Sequence, residues 1–466
     1  MSDWGATHST ELAAQSGLDQ EMPYGIHFGQ ALVLAVRMGR LPQAVVDEKA
    51  LRILTAMFTV GLFDVPRTGD LKKNVTSVEH NRLAREIAAG AAVLLRNTNN
   101  TLPIVLSSSS ASSLLSPHAT ASSPPHSVLS SASRHVLPVR TIAVLGDSAR
   151  NPHVGGGGSG AVVPPYIISP LLGISVRAGP STRVIYAGSS NIPAAVQAAR
   201  AADVAVVVTG TSASEGFDRK NLSLPTLDND LIMQVAAVQS RTVVVVLAPG
   251  ASLLPWAESV GAIVYMFMPG QECGNALADV LFADVNPSGR LPLTLPHREN
   301  EVNFTQQQYP GIPASKPSET YYTEQLRIGY RWYHAHNVTP HFSFGHGLSY
   351  TSFAYSNLSL SLSSDPTLSI EVSFVLTNKG PLRGSEVAQV YIDYPAGAEE
   401  PPRQLRAFTK VDLAVGDDIK VMMNLSARGV QIWDVGHHAW TTVRGLFTLY
   451  VGASSSDIRL KGSITV

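Results

Sequence analysis

The sequence contains one cysteine, Cys273, among 466 residues. A single cysteine excludes a disulfide within the chain and a metal site built from several thiolates. Charge is also scarce, because Asp, Glu, Lys and Arg make up 15% of the residues and the formal net charge is -1. Such a chain has no electrostatic attraction to nucleic acid or to an anionic membrane. No window offers about 18 uninterrupted apolar residues, so no membrane-spanning helix is predicted.

Hydrophobic residues make up 44% of the chain, which is typical of a folded globular protein. The length favours about three domains. Cysteine poverty suits a cytosolic protein, whereas the Asn-x-Ser/Thr sites suit a secreted glycoprotein. The first residues show no signal peptide. Seven such sites begin at Asn74, Asn99, Asn221, Asn303, Asn337, Asn357 and Asn424.

Short β-branched runs alternate with helical segments from residue 141 onward. TIAVLG, VIYAG, ADVAVVVTG, TVVVVLAP and GAIVYMFMPG are runs of the kind found in strands covered on both faces. The alternation predicts a mostly parallel sheet in a three-layer α/β sandwich over residues 80–300. Residues 107–135 form a Ser-rich tract inside it, which we expect to be a disordered surface insertion.

The pattern changes to alternating strands after residue 344. Ile370, Val372, Phe374 and Leu376 alternate with polar residues, and Phe447, Leu449 and Val451 do the same. Residues 345–466 are therefore predicted to form a two-sheet β-sandwich, and residues 301–344 a linker.

Two phrases near the start carry the strongest signal for function. MSDWGATHST is followed by QSGLDQEMP, and together they resemble the SDWGA…AGLDxEMP signature of glycoside hydrolase family 3. PGQECGNALADVLFADVNPSGRLPLTLP and FGHGLSYTSF resemble further phrases of that family. The resemblance implies a retaining glycosidase, most readily a β-glucosidase, whose last domain is fibronectin type III-like.

The resemblance also implies a role for the first residues. Asp3 stands where the family has its nucleophile, and residues 1–66 correspond to the end of a (β/α)8 barrel, with residues 67–79 as a linker. Trp4 would stack on a sugar ring, although chemistry alone suits a buried core Trp equally well. Most of the barrel is not present before Ser2, so we expect a fragment or a misplaced start codon, and little or no turnover by the chain alone.

The second carboxyl group is expected from a loop of the α/β sandwich. TGTSASEGFDRKNLSLP follows the strand ADVAVVV, at the edge where such sheets bind ligands. The family has its acid/base in an S/AEGxDR phrase, which implies that role for Glu215; without the phrase, Glu215 would be a solvated loop residue. We expect its pKa to be raised by closing of the loop against the barrel and by proximity to Asp3. We expect Asp218 and Arg219 to form an ion pair that shapes the loop.

The glycine-rich stretch VGGGGSGAVVPPY follows the first strand of the sandwich. It lacks the Gly-Lys-Ser/Thr of a phosphate-binding loop, so nucleotide binding is not indicated. In the family, the serine of this turn lies against the bound sugar, which implies that Ser159 contacts substrate.

Histidines cluster near the second linker. His334, His336, His341 and His346 have no supporting carboxylates or cysteines, so we expect them to be solvated on irregular chain. No metal and no organic cofactor are expected.

The sequence thus predicts a β-glucosidase that acts on a β-glucoside or oligosaccharide outside the cell. A β-xylosidase of the same family is one alternative, and a non-catalytic remnant that binds carbohydrate or a partner is another. The sequence does not determine the oligomeric state.

Overall fold

A computed structural model describes residues 1–65, 69–70, 73–107, 138–313, 319–363 and 369–466. The Ser-rich tract thus lies almost wholly outside the described residues. The chain forms two compact units, Met1–Thr76 and Ser77–Val466, called unit 1 and unit 2 below.

Unit 1 is helical in its described residues. Its core is small, because among its described residues only Ala14, Ala35 and Leu41 are buried and hydrophobic, while Leu51 and Phe58 are exposed. The helices are α1 (Glu11–Gln15), α2 (Gln30–Arg37) and α3 (Gln43–Thr59).

Unit 2 begins with a six-stranded sheet. The strand order is β1-β6-β5-β4-β2-β3, with β2 to β6 parallel and β1 antiparallel to β6. The strands are β1 (Val93–Asn97), β2 (Thr141–Leu145), β3 (Arg183–Ala187), β4 (Val204–Gly210), β5 (Thr242–Leu247) and β6 (Ala262–Tyr265).

Helices cover both faces of this sheet. Successive residues of a strand point to opposite faces, so each strand contributes side chains to both cores. Val206 and Val208 pack on one face with residues of α4, α5 and α8, while Val207 packs on the other with α6 and α7. The predicted three-layer α/β sandwich is confirmed. The helices are α4 (Val78–Ala91), α5 (Pro170–Ala178), α6 (Ile192–Arg200), α7 (Thr226–Ala236) and α8 (Cys273–Leu281).

Polar side chains mark where three of these helices begin. Ser77 accepts a hydrogen bond from the N–H of His80, Ser169 from Leu172 and Asn191 from Ala194. Each side chain satisfies an N–H group that has no partner within its helix.

The second part of unit 2 is the predicted two-sheet β-sandwich. A sheet of order β10-β9-β14-β15 faces one of order β11-β8-β7. The alternating residues of β8 and β14 named above are fully buried between the sheets, which confirms the period-two pattern. Helix α9 (Tyr330–Ala335) precedes strands β7 (Phe353–Leu362), β8 (Ile370–Asn378), β9 (Gly384–Asp393), β10 (Gln404–Leu413), β11 (Asp418–Leu425), β12 (Gln431–Asp434), β13 (Ala439–Thr442), β14 (Leu446–Gly452) and β15 (Ile458–Thr465).

A buried ion pair joins the two parts of unit 2. Arg290 donates to Glu386 at 3.0 Å, and the two side chains are 8% and 5% exposed. The Tyr355 hydroxyl donates to the second carboxylate oxygen of Glu386. Burial makes each charge depend on its partner, because neither has water to solvate it.

Glu386→Gln is therefore expected to destabilise the protein by about 3–5 kcal/mol, because it leaves the Arg290 charge buried and unpaired. The matched control is Asp412→Asn, which breaks the exposed pair with Arg383 and should cost about 1 kcal/mol or less. Free energies of unfolding from denaturant titrations compare the two. Equal losses would show that burial of the Arg290–Glu386 pair carries no special cost.

Candidate active site

The two sequence phrases of unit 1 lie side by side. The N–H of Ser2 donates to the carbonyl of Gln20, and the N–H of Gly5 donates to the carbonyl of Met22. Trp4 and Met22 form a parallel bridge, and the Ser2 hydroxyl accepts from the N–H of Met22 at 2.9 Å. Residues far apart in the sequence thus hold the Asp3 segment in one conformation.

Asp3 is exposed, and its Oδ1 accepts a hydrogen bond from the N–H of Trp4 at 2.7 Å. In the described part of unit 1, Oδ2 has no hydrogen-bond donor, so it is the oxygen available to an incoming group. The Trp4 side chain is 73% exposed, so it is not the buried core residue that its chemistry also allowed.

Acidic residues of the second phrase have structural partners that spacing did not reveal. Arg52 donates to Asp19 at 2.7 and 2.9 Å, and these hydrogen bonds lower the pKa of the Asp19 carboxyl. Glu21 accepts from the backbone N–H groups of His27 and Phe28. These carboxylates therefore anchor the phrase to the following helical segment.

In unit 2, the strand order places the carboxyl ends of β2 and β4 side by side. Strand β3 lies on one side of β2 and β4 on the other. After their loops, the connections from β2 and β4 therefore continue to helices on opposite faces of the sheet. Ligands of open α/β sheets bind where the connections reverse in this way. The glycine-rich stretch follows β2, and the Glu215 loop follows β4.

These two loops are joined by backbone contacts. Gly157 forms a parallel bridge with Ser214, and the N–H of Gly157 donates to the carbonyl of Ala213 at 3.1 Å. The N–H of Glu215 points back to the carbonyl of Gly157 at 3.4 Å. The tertiary fold therefore brings together Ser159 and Glu215, which are 56 positions apart.

Glu215 lies at the tip of a tight turn. The N–H of Phe217 donates to the carbonyl of Ser214 at 2.9 Å, and Gly216 has φ +75°. A turn with positive φ at its third residue favours glycine there. The turn presents the Glu215 side chain to solvent.

Ser159 holds the Glu215 carboxylate. Its N–H donates to Oε2 at 2.7 Å, and its hydroxyl donates to the same oxygen at 2.5 Å. The hydroxyl, followed by the N–H, lowers the pKa of Glu215, and slight desolvation opposes them. Within unit 2 the pKa of Glu215 is therefore lowered, because two donors stabilise the ionised form. The rise expected from the barrel and from Asp3 stays a prediction.

Arg219 anchors the loop in a way that the sequence did not indicate. It donates to the carbonyl of Ala251 at 2.6 Å and to the Ser252 hydroxyl at 3.3 Å. Asp218 is exposed, and no ion pair joins it to Arg219 within the parts of the chain described. The predicted ion pair is thus wrong, because Arg219 connects the loops after β4 and β5 instead.

The clustered histidines are more buried than expected. His346 shares a hydrogen bond of 2.9 Å with the carbonyl of Leu95, and His334 lies on α9, where burial lowers its pKa to about 4. His341 stacks on His297. The prediction of solvated side chains on irregular chain is therefore wrong for these three, because they pack between elements of unit 2.

Within the described residues, no group of three or more His, Cys, Asp or Glu side chains could hold a metal ion. None of the helices in that part of the chain combines the length and the apolar character that crossing a bilayer requires.

Comparison with known families gives two domain matches. Residues 92–350 match the Glycosyl hydrolase family 3 C-terminal domain, and residues 386–455 match the Fibronectin type III-like domain. The chain belongs to glycosyl hydrolase family 3.

Individual relatives agree with this assignment. The chain is 36% identical over 527 aligned residues to probable beta-glucosidase L of Aspergillus terreus, and the match covers 100% of this chain and 66% of the relative. The chain thus spans just under two thirds of that protein's length.

Two solved structures also resemble the whole chain. The Trichoderma reesei beta-D-glucoside glucohydrolase has a TM-score of 0.84 at 32% identity, over 100% of this chain and 67% of that one. DesR, a beta-glucosidase from Streptomyces venezuelae solved with D-glucose, has a TM-score of 0.86 at 28% identity, over 100% and 71%.

Gly216→Ala is expected to destabilise the Glu215 turn by about 1–2 kcal/mol, because a side chain with Cβ is strained at positive φ. No atom within 4 Å would meet the new methyl group, so the backbone conformation alone is tested. Gly155→Ala is the matched control, since Gly155 also has open space around it and lies outside the positive-φ region. Denaturant titration measures both, and an equal response of the two variants would contradict the strained-turn explanation.

Proposed function

We propose that this chain carries both catalytic carboxylates of a retaining β-glucosidase, with Asp3 as the nucleophile and Glu215 as the acid/base. The observation that carries the proposal is the position of Glu215. It is exposed on a turn beyond the carboxyl end of β4 in the α/β sheet, and the named relatives of the chain are β-glucosidases.

The reaction proceeds in two displacements. In the first, Asp3 Oδ2 forms a bond to the anomeric carbon while the bond from that carbon to the aglycone oxygen breaks. The Glu215 proton passes to the departing oxygen. In the second, the Glu215 carboxylate removes a proton from water, whose oxygen attacks the anomeric carbon and releases Asp3. Two inversions return glucose in the β configuration.

Trp4 supports this assignment through its exposure. Its ring stands next to the nucleophile in the sequence and is free to stack on the apolar face of a sugar. Stacking orients the ring over the attacking carboxylate, and orientation of this kind contributes strongly to catalysis.

The protein is proposed to act outside the cell. The seven Asn-x-Ser/Thr asparagines lie at exposed positions, so each is accessible for N-glycosylation. Peptide mass spectrometry of protein secreted from a glycosylating host would identify which of them are modified.

Glu215→Gln is expected to lower kcat on cellobiose by about 10²–10⁴-fold, because this leaving group needs a proton. On 2,4-dinitrophenyl β-glucoside the loss should be smaller, and azide should restore turnover with formation of β-glucosyl azide. Asp3→Asn should reduce turnover of both substrates to background. The measurement is kcat for each variant on both substrates. It is made on the chain alone and on the chain joined to the part of the Aspergillus terreus relative that the chain does not match.

Asp230→Asn is the control, since Asp230 is an exposed carboxylate on α7 outside the proposed machinery. Full activity of Glu215→Gln on cellobiose would refute the acid/base role. Preference for aryl β-xylosides over β-glucosides would redirect the assignment to a β-xylosidase. Sugar binding without turnover in either form of the protein would favour a binding module.

A further inference from the structure

Both hydrogen bonds from Ser159 end on the same oxygen of Glu215. The amide N–H lies 2.7 Å and the hydroxyl 2.5 Å from Oε2. We propose that Ser159 is the positioning residue of the acid/base: it occupies Oε2, so that Oε1 carries and delivers the proton. This inference rests on the proposed role of Glu215 and assigns Ser159 a partner other than the sugar.

Chemistry explains why the proton belongs on Oε1. A backbone N–H can only donate, so an oxygen that accepts from it gains nothing by acquiring a proton of its own. The N–H of Ser159 is kept in place because Gly157 and Ser214 join the two loops. Within the described residues of unit 2, Oε1 has no such donor, and its exposure leaves it accessible to a leaving group.

Gly158 allows the glycine-rich loop to lie close to the Glu215 side chain. It has φ +85°, and a Cβ added there would lie 2.3 Å from Cβ of Glu215 and 2.8 Å from Oε2. Any side chain at residue 158 would therefore push the carboxylate away from Ser159. The glycine thus allows the glycine-rich loop to approach Glu215.

The contact also sets the balance between acid and base. The Ser159 hydroxyl is the largest cause of the lowered pKa of Glu215, followed by the N–H. A lowered pKa favours the ionised form, which is the form that activates water in the second displacement. The hydroxyl oxygen keeps lone pairs, so it remains able to accept from a sugar hydroxyl while it donates to Glu215.

Ser159→Ala is expected to raise the pKa of Glu215, because the variant loses the hydroxyl hydrogen bond, which has the larger effect on that pKa. Carbodiimide coupling with glycine ethyl ester, followed by peptide mass spectrometry, measures the pH midpoint for modification of Glu215 without requiring activity. The pH midpoint for modification should be higher in Ser159→Ala than in the protein without substitutions. In Ser159→Thr it should be close to that of the protein without substitutions. Ser214→Ala is the matched control, because the Ser214 hydroxyl donates to the backbone carbonyl of Glu215 at 3.3 Å and not to its carboxylate. The midpoint should stay unchanged in this variant.

Gly158→Ala provides a second variant, which should raise the midpoint by displacing the carboxylate from Ser159. Unchanged midpoints in both Ser159→Ala and Gly158→Ala would overturn the inference. In the active form of the protein, the alkaline limb of kcat/KM should move to higher pH in Ser159→Ala, because Glu215 then stays protonated further up the pH scale.

The two hypotheses fail in different ways. If the pH midpoint rises in Ser159→Ala but Glu215→Gln keeps full activity, the Ser159 contact is supported and the acid/base role is rejected. Azide rescue of Glu215→Gln with an unmoved midpoint in Ser159→Ala would retain the acid/base role and reject Ser159 as its positioning residue.

Discussion

The order of the parallel strands is the constraint on which the candidate site depends. Because β2 and β4 are neighbours while the chain visits β3 between them, their carboxyl ends meet at a point where two loops diverge. The glycine-rich loop and the Glu215 loop then lie against each other and form backbone contacts. A strand order in which β2 and β4 were not neighbours would separate Ser159 from Glu215.

Hydrogen bonds from Ser159 favour the ionised form of Glu215. A general acid works best when its pKa lies near the operating pH, yet Ser159 lowers the pKa of Glu215 by stabilising the carboxylate. In the proposed two-step reaction Glu215 is first an acid and then a base. Both hydrogen bonds from Ser159 reach Oε2 alone, so in that proposal they favour ionisation while leaving Oε1 available to carry the proton.

Much of the fold follows from local patterns in the sequence. Consecutive β-branched residues predicted the strands of the parallel sheet, and alternation predicted β8 and β14, because burial on both faces or on one face selects those patterns. Patterns of charge were less informative. Arg219 was assigned to its neighbour Asp218, but its donors reach the loop after β5, and three of the clustered histidines are packed between elements.

By itself the sequence predicted the strands of the parallel sheet and the alternating strands β8 and β14, and its phrases led to the proposal of Asp3 and Glu215 as catalytic residues, since both inferences depend on residue identity and spacing along the chain. Tertiary structure alone decided which side chains meet. The bond between Ser159 and Glu215 requires the loops of β2 and β4 to be adjacent, and the pair of Arg290 and Glu386 requires the β-sandwich to pack on the α/β sheet. Such contacts join residues many positions apart, and no local pattern encodes them because they arise from the strand order and the packing of whole layers.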